Sequence, residues 1–189
     1  MPNASATLSP ELAASQWFNT PAPLTLRALR GRPVLLHTFQ LLCPGCVAEA
    51  IPQVQRIERV FAGTDLQIIG LHTVFEHHAA MTPATLEAFL HEYRITHPVA
   101  VDQPSEHSPV PVTMQRYGFR GTPSAVLIGR NGAILHQAFG VEDPIAVGAR
   151  IAMALSAAIP AAVEDDPAGD ANGCAGDRCE VPAPSSAAA

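Results

Sequence analysis

Lysine is absent from this chain, and all eleven basic residues are arginine. Schiff-base chemistry and a phosphate-binding P-loop both need that amine, so both are excluded. Aromatic residues are scarce at 5%, with a single tryptophan, and charged residues make up only 15%. No run approaches the roughly twenty apolar residues that a membrane span requires. The first residues, Met1 to Thr7, show neither a basic n-region nor an apolar h-region. The expectation is therefore a cytoplasmic protein with no membrane partner. Nothing resembles a GxGxxG nucleotide fingerprint, so no organic cofactor is implied and any electrons must come from an outside donor. A basic field is missing too. From Ala161 onward six acids (Glu164, Asp165, Asp166, Asp170, Asp177, Glu180) face Arg178 alone, which accounts for most of the net charge of −6. The body is left nearly neutral, with nothing to attract nucleic acid.

What remains is a chain of 189 residues, 48% apolar, enough for one ordinary domain with a sizeable core. Residues 1–19 read as a polar extension with a short helix starting after Ser9-Pro10. Val34 to Phe39 is a short apolar run bounded by breakers and predicts a buried strand. An amphipathic stretch to Phe61 follows, with Val47, Ile51, Val54 and Ile57 at helical spacing. A second buried strand is expected over Leu66–Leu71, a helix from Thr82-Pro83 to about Arg94, and a third strand over Pro98–Asp102. A brief helix near Thr113–Tyr117 precedes two apolar runs flanking Asn131-Gly132, the strongest short-range hairpin signal. A last helix spans about Pro144 to Ala158. Residues 20–159 therefore form the domain. Residues 160–189 form a low-complexity acidic tail with too little apolar surface to fold alone.

Four cysteines stand in two pairs. Cys43-Pro44-Gly45-Cys46 directly follows the first buried strand and opens a helix. One helical turn would place the first sulfur at the helix N-terminus, where free amides and the dipole favour a thiolate, and the second just inside. A thiolate at Cys43 can attack a disulfide, and Cys46 can then resolve the mixed disulfide. Pro44 suits the first helical position because its missing N–H would have no partner there. The competing reading is half of a zinc site, but strand-to-helix context favours redox chemistry.

The segment VLLHTFQLLCPGC, Glu49 and Pro52 beyond it, and Gly121-Thr122-Pro123 before the hairpin resemble the thioredoxin superfamily. The closest branch looks like the TlpA/ResA-type disulfide reductases and the related AhpC/TSA redoxin domains. The resemblance implies an α/β, thioredoxin-like fold, a central mixed sheet flanked by helices with a disordered C-terminal tail. It implies a disulfide reductase whose substrates are protein or small-molecule disulfides and whose external donor is a thioredoxin or glutathione system. It implies that Pro123 is a cis proline facing the dithiol, and that Thr122, with Pro44 and Gly45, belongs to the substrate-binding edge. Composition alone favours a trans bond, since only about 5% of X–Pro bonds are cis. Three departures stand out: Leu42 replaces the usual Trp before the dithiol, Pro52 lies one residue further along its helix, and His37 replaces a buried Asp six residues before the first cysteine. An imidazole there could accept the Cys46 proton near neutral pH. It could equally be a core histidine hydrogen-bonded to backbone.

Other chemistries fit these residues less well. A peroxiredoxin-type peroxidase would use Cys43 as its peroxidatic cysteine, but the positions of its usual Pro and Thr/Ser frame hold Leu36 and Gln40. His72, Glu76, His77, His78, His91 and His97 are enough imidazole for a metal carrier, yet they lack the paired helical spacing and read as loop histidines without a metal. Cys174 and Cys179 in the tail form a CxxxxC that would be a mobile relay dithiol, a tail disulfide or a metal clip.

Overall fold

Six strands and four helices are built from these patterns in the computed structural model, which describes residues 7–158. The strands are β1 (Ala14–Phe18), β2 (Val34–Phe39), β3 (Gln67–His72), β4 (Val99–Asp102), β5 (Ser124–Ile128) and β6 (Ile134–Phe139). The helices are α1 (Ile51–Val60), α2 (Pro83–Glu92), α3 (Val112–Tyr117) and α4 (Pro144–Ser156). A π-turn over Cys46–Ala50 leads into α1.

All six residues of β2 are buried, as a strand covered on both faces requires. It lies mid-sheet in the order β1-β4-β3-β2-β5-β6. Its pairing with β3 is parallel and with β5 antiparallel; β3 and β4 are parallel, and β5 and β6 antiparallel. The mixed sheet flanked by helices is the expected fold class. Alternate β2 side chains feed opposite layers. Val34 and Leu36 join a core with Ile69, Val126, Met114 and Tyr117, whereas Leu35 packs with Val54, Ile57 and Ile151, and Phe39 with Cys46, Ile51 and Leu86. His37 therefore shares the face that carries the dithiol.

The N-terminal segment departs from expectation. In place of a helix after Ser9-Pro10, residues 14–18 form an edge strand antiparallel to β4, with Trp17 opposite Ala100 and Phe18 opposite Val99. The backbone N–H of Ser9 donates to Gly132 O and the Tyr117 hydroxyl to Pro10 O. Residues set apart as an extension thus supply one edge of the sheet. Aromatic Trp17 and Phe18 suit a pleated, half-buried surface, and pairing to a distant strand outweighs the local helix-start signal.

Helix starts follow the sequence more closely. Thr82 caps α2 by accepting from the Thr85 amide, and Asp143 caps α4 by accepting from the Ile145 and Ala146 amides, each with Pro at the first helical position. The cap of α3 comes from far away: buried Asp102 accepts from the Thr113 and Met114 amides at 2.8 and 3.0 Å and from the Thr73 hydroxyl at 2.9 Å. Burial nonetheless pushes the Asp102 carboxyl above its ordinary range.

Candidate active site

Cys43 leaves the end of β2 through a tight turn in which its amide donates to Gln40 O. Pro44 and Gly45 begin the helical backbone, and Cys46 follows as the first residue of the π-turn. The two cysteines are joined as a disulfide, with Cα atoms 5.2 Å apart. Their surroundings differ. Cys43 is half-buried, while Cys46 is completely buried among Phe39, Ile51 and Leu86. The Cys46 amide donates to Cys43 Sγ at 3.2 Å. That bond, at a helix start, favours negative charge on the outer sulfur.

Thr122 and Pro123 lie across from this turn. The Thr122–Pro123 peptide is cis, Thr122 O is 3.5 Å from Cys43 Sγ, and a Cβ added at Gly45 would sit 3.7 Å from the Pro123 ring. Gln40, buried at the end of β2, donates through Nε2 to the Thr122 hydroxyl at 3.4 Å. The sequence presents Gln40 only as a missing piece of a peroxidase frame; the structure makes it a support for Thr122.

The one-residue offset of Pro52 has a structural counterpart. The Ile51 amide donates to Cys46 O, five residues back, which absorbs one extra residue between the dithiol and α1. Pro52 then falls at the junction of the π-turn with α1, in a helix already under way, where it removes one donor from the ladder. Glu49, in the π-turn, faces solvent.

His37 is buried, and its partner is a side chain rather than backbone. Its Nε2 lies 2.9 Å from Nε2 of His97, whose Nδ1 lies 3.5 Å from Glu58 Oε2 on α1. The Thr96 hydroxyl donates to the other Glu58 oxygen at 3.2 Å. Burial, and secondarily the neighbouring His97, hold the His37 imidazole well below its ordinary pKa, so it is neutral near pH 7. Hydrogen bonding from His97 lowers the Glu58 carboxyl and keeps it ionised. His37 also lines a cleft with Ala50, Gln53 and Pro123, between the dithiol helix and the start of β5.

The other histidines divide in a way their spacing does not reveal. His72 is the last residue of β3 rather than a loop residue. It is buried against Phe39, and burial pushes its pKa down to about 4. His97 is buried too, whereas His77, His78 and His91 are exposed. Among the described residues no group of three or more His, Cys, Asp or Glu side chains is placed to hold a metal ion. Cys174 and Cys179 lie outside the described residues.

A dithiol at the junction of a central strand and a helix, faced by a cis proline, on a mixed sheet of this order defines the class as a thioredoxin-fold thiol–disulfide oxidoreductase. Comparison with known proteins agrees. A crystal structure of a thioredoxin-like superfamily protein is 48% identical, with TM-score 0.79, over 82% of this chain and all of the other. A thiol-disulfide isomerase from Corynebacterium glutamicum is 43% identical, with TM-score 0.77, over 82% of this chain and 99% of that one. The protein DipZ of Mycobacterium bovis and of Mycobacterium tuberculosis is 30% identical over 67% of this chain, a match that takes in only 17% of DipZ. No family model matches the chain. The chain belongs to the thioredoxin-like superfamily.

Proposed function

We propose that this protein reduces disulfides of protein or small-molecule substrates, with Cys43 as the attacking thiolate and Cys46 as the resolving thiol. The observation that carries this reading is the asymmetry of the pair: Cys43 is accessible and its sulfur accepts an amide, while Cys46 is completely buried. The thiolate of Cys43 attacks one sulfur of the substrate disulfide and expels the other as a thiolate. Cys46, having lost its proton, then attacks Cys43 Sγ; the bond to the substrate breaks and the second substrate thiolate leaves. Two electrons pass to the substrate, and the protein ends as the Cys43–Cys46 disulfide.

His37 is proposed as the base that takes the Cys46 proton, and Thr122 with Pro123, Pro44 and Gly45 as the surface against which the substrate chain docks. An external thioredoxin or glutathione system would return the pair to the dithiol, which suits the cytoplasmic location we propose.

The test is thiol counting on the fully reduced protein, exposed separately to a protein disulfide and to hydrogen peroxide. Rapid loss of the Cys43/Cys46 thiols to the disulfide and slow loss to peroxide is the expected result; the reverse order would make this a peroxidase. Cys43→Ser should abolish turnover and Cys46→Ser should accumulate mixed disulfides. Full activity in Cys43→Ser would refute the mechanism.

A further inference from the structure

The file of buried groups behind the dithiol runs from β2 to the surface of α1. It begins at His37, passes to His97 at 2.9 Å and ends at Glu58, 3.5 Å from His97 Nδ1. The Glu58 side chain is 32% exposed and His97 4%, so the file starts in the interior and ends at solvent, in a groove that His97 and Glu58 line with Phe61 and Gln67.

Its protonation pattern follows from donor and acceptor counting. An ionised carboxylate only accepts, so His97 presents N–H at Nδ1. If that is the only proton on His97, its Nε2 carries a lone pair and His37 Nε2 must donate to it. That leaves His37 Nδ1 as a bare lone pair, and this atom is buried with no hydrogen-bond partner among the described residues. A buried acceptor left without a partner costs stability of the order of 1–3 kcal/mol. Here it sits on the face of β2 that packs against the dithiol helix, in the cleft shared with Ala50 and Pro123.

We propose that His97 and Glu58 are positioning residues of a proton relay, in which the proton of the resolving thiol enters at His37 Nδ1 and is handed on to His97, where Glu58 holds it. The inference rests on the dithiol reading above and adds the path of the proton. As the Cys46 S–H bond breaks, its proton goes to His37 Nδ1. The His37 Nε2 proton passes to His97 Nε2, making an imidazolium paired with the Glu58 carboxylate. The electron pair left on Cys46 forms the bond to Cys43 Sγ, and the substrate sulfur leaves with the electrons of the bond it loses. Re-reduction runs the file backward and returns the proton to Cys46. Charge thus never rests on His37, the most deeply desolvated member.

The surroundings are arranged for such a file. Asn19, with φ of 57°, donates through Nδ2 to Ile95 O at 2.7 Å and to His97 O at 3.1 Å, pinning the backbone that carries His97. The absence of a side chain at Gly70 leaves room for the imidazoles, since a Cβ there would lie 3.1 Å from His37 Nε2. The other titratable or charged groups nearby are Cys46 on the π-turn, His72 on β3 beyond Phe39, Glu142 on the cleft that His37 lines, and Arg59 and Arg94 beside Glu58.

The experiment uses the full chain with Cys174 and Cys179 replaced by Ser, reduced, and an aromatic disulfide that releases a coloured thiolate. Attack by Cys43 releases the first equivalent and resolution by Cys46 the second. In Glu58→Gln the second phase should slow about tenfold at pH 7, less than the roughly 10²–10⁴-fold that losing a proton acceptor outright costs, because His37 remains, with the first phase unchanged. Its rate should then climb steeply with pH as Cys46 ionises unaided, and Glu58→Asp should restore most of the loss. Nitrogen-15 shifts of reduced protein should show His37 protonated at Nε2 and bare at Nδ1. An unchanged second phase in both Glu58→Gln and His97→Gln, or a proton found on His37 Nδ1 in the reduced protein, overturns the relay while two-phase release leaves the dithiol reading standing. Release that survives Cys43→Ser overturns both.

Discussion

At the scale of single residues, the site depends on atoms that are missing as much as on those present. Gly70 pairs with His37 across the parallel β2–β3 ladder, and a methyl there would approach Val99 Cγ2, His37 Nε2 and Phe39 Cε1 at 3.0, 3.1 and 3.2 Å. None of those neighbours is the free end of a flexible chain, so the strand must shift or the imidazoles must separate. Gly70→Ala should therefore cost about 1–3 kcal/mol, as overpacking does, measured by urea unfolding. It should also slow the second phase of thiolate release. A protein unchanged in both respects would show that the His37–His97 contact is looser than 2.9 Å implies. Gln40 illustrates the same scale from the other side: a buried amide that a peroxidase pattern lacks a use for becomes, in the folded chain, the donor to Thr122.

Among the elements, β1 and the π-turn decide how the site is held. β1 closes the sheet beside β4 and is followed by Asn19, whose side-chain amide reaches across to the loop carrying His97. Asn19→Gly keeps the left-handed backbone accessible while removing both side-chain bonds. We expect a loss of about 1–2 kcal/mol together with faster exchange of the His97 ring protons, checked by unfolding and by NMR. Stability without any change at His97 would argue that β1 merely covers the sheet edge. The π-turn explains why Cys46 and Pro52 are one residue further apart than the resembled family suggests. The odd spacing was legible in the sequence. Its resolution as a single bond from the Ile51 amide to Cys46 O was not, because a kinked α-helix would have satisfied the same spacing.

For the whole molecule, buried neutral histidines set the response to acid. His72 titrates near 4 when folded and near 6.5 in an unfolded chain. Between these values the unfolded state binds more protons than the native one, so stability falls as pH drops from about 6.5 toward 4 and is unaffected by His72 above that window. A displacement of this size corresponds to about 3 kcal/mol, and His37 adds to it in the same direction. Asp102, whose carboxyl is raised by burial, acts oppositely: its unfolded form ionises first, so its contribution diminishes as pH rises above the ordinary carboxylate pKa. The urea midpoint should therefore fall from pH 7 to pH 4.5, and His72→Leu should flatten that fall. An acid limb equally steep in His72→Leu would assign the effect to His37 and the other groups instead.

Local sequence is enough to specify the order of strands and helices from β2 onward, the dithiol and its place at a strand-to-helix junction, and the hairpin after Thr122-Pro123. Each of these is written in neighbouring residues: a run of buried apolar side chains, a two-residue spacing between cysteines, a proline at a helix start, an Asn-Gly between strands. Tertiary structure decided what lies far apart along the chain. It made residues 14–18 a strand by pairing them with 99–102, buried His72 and His97 where spacing suggested loops, and joined His37 to His97 and Glu58. The partners in that file are separated by 60 and 39 residues. No local periodicity encodes such a meeting, because it exists only once the sheet has set β2, β3 and β4 side by side and α1 has packed across them.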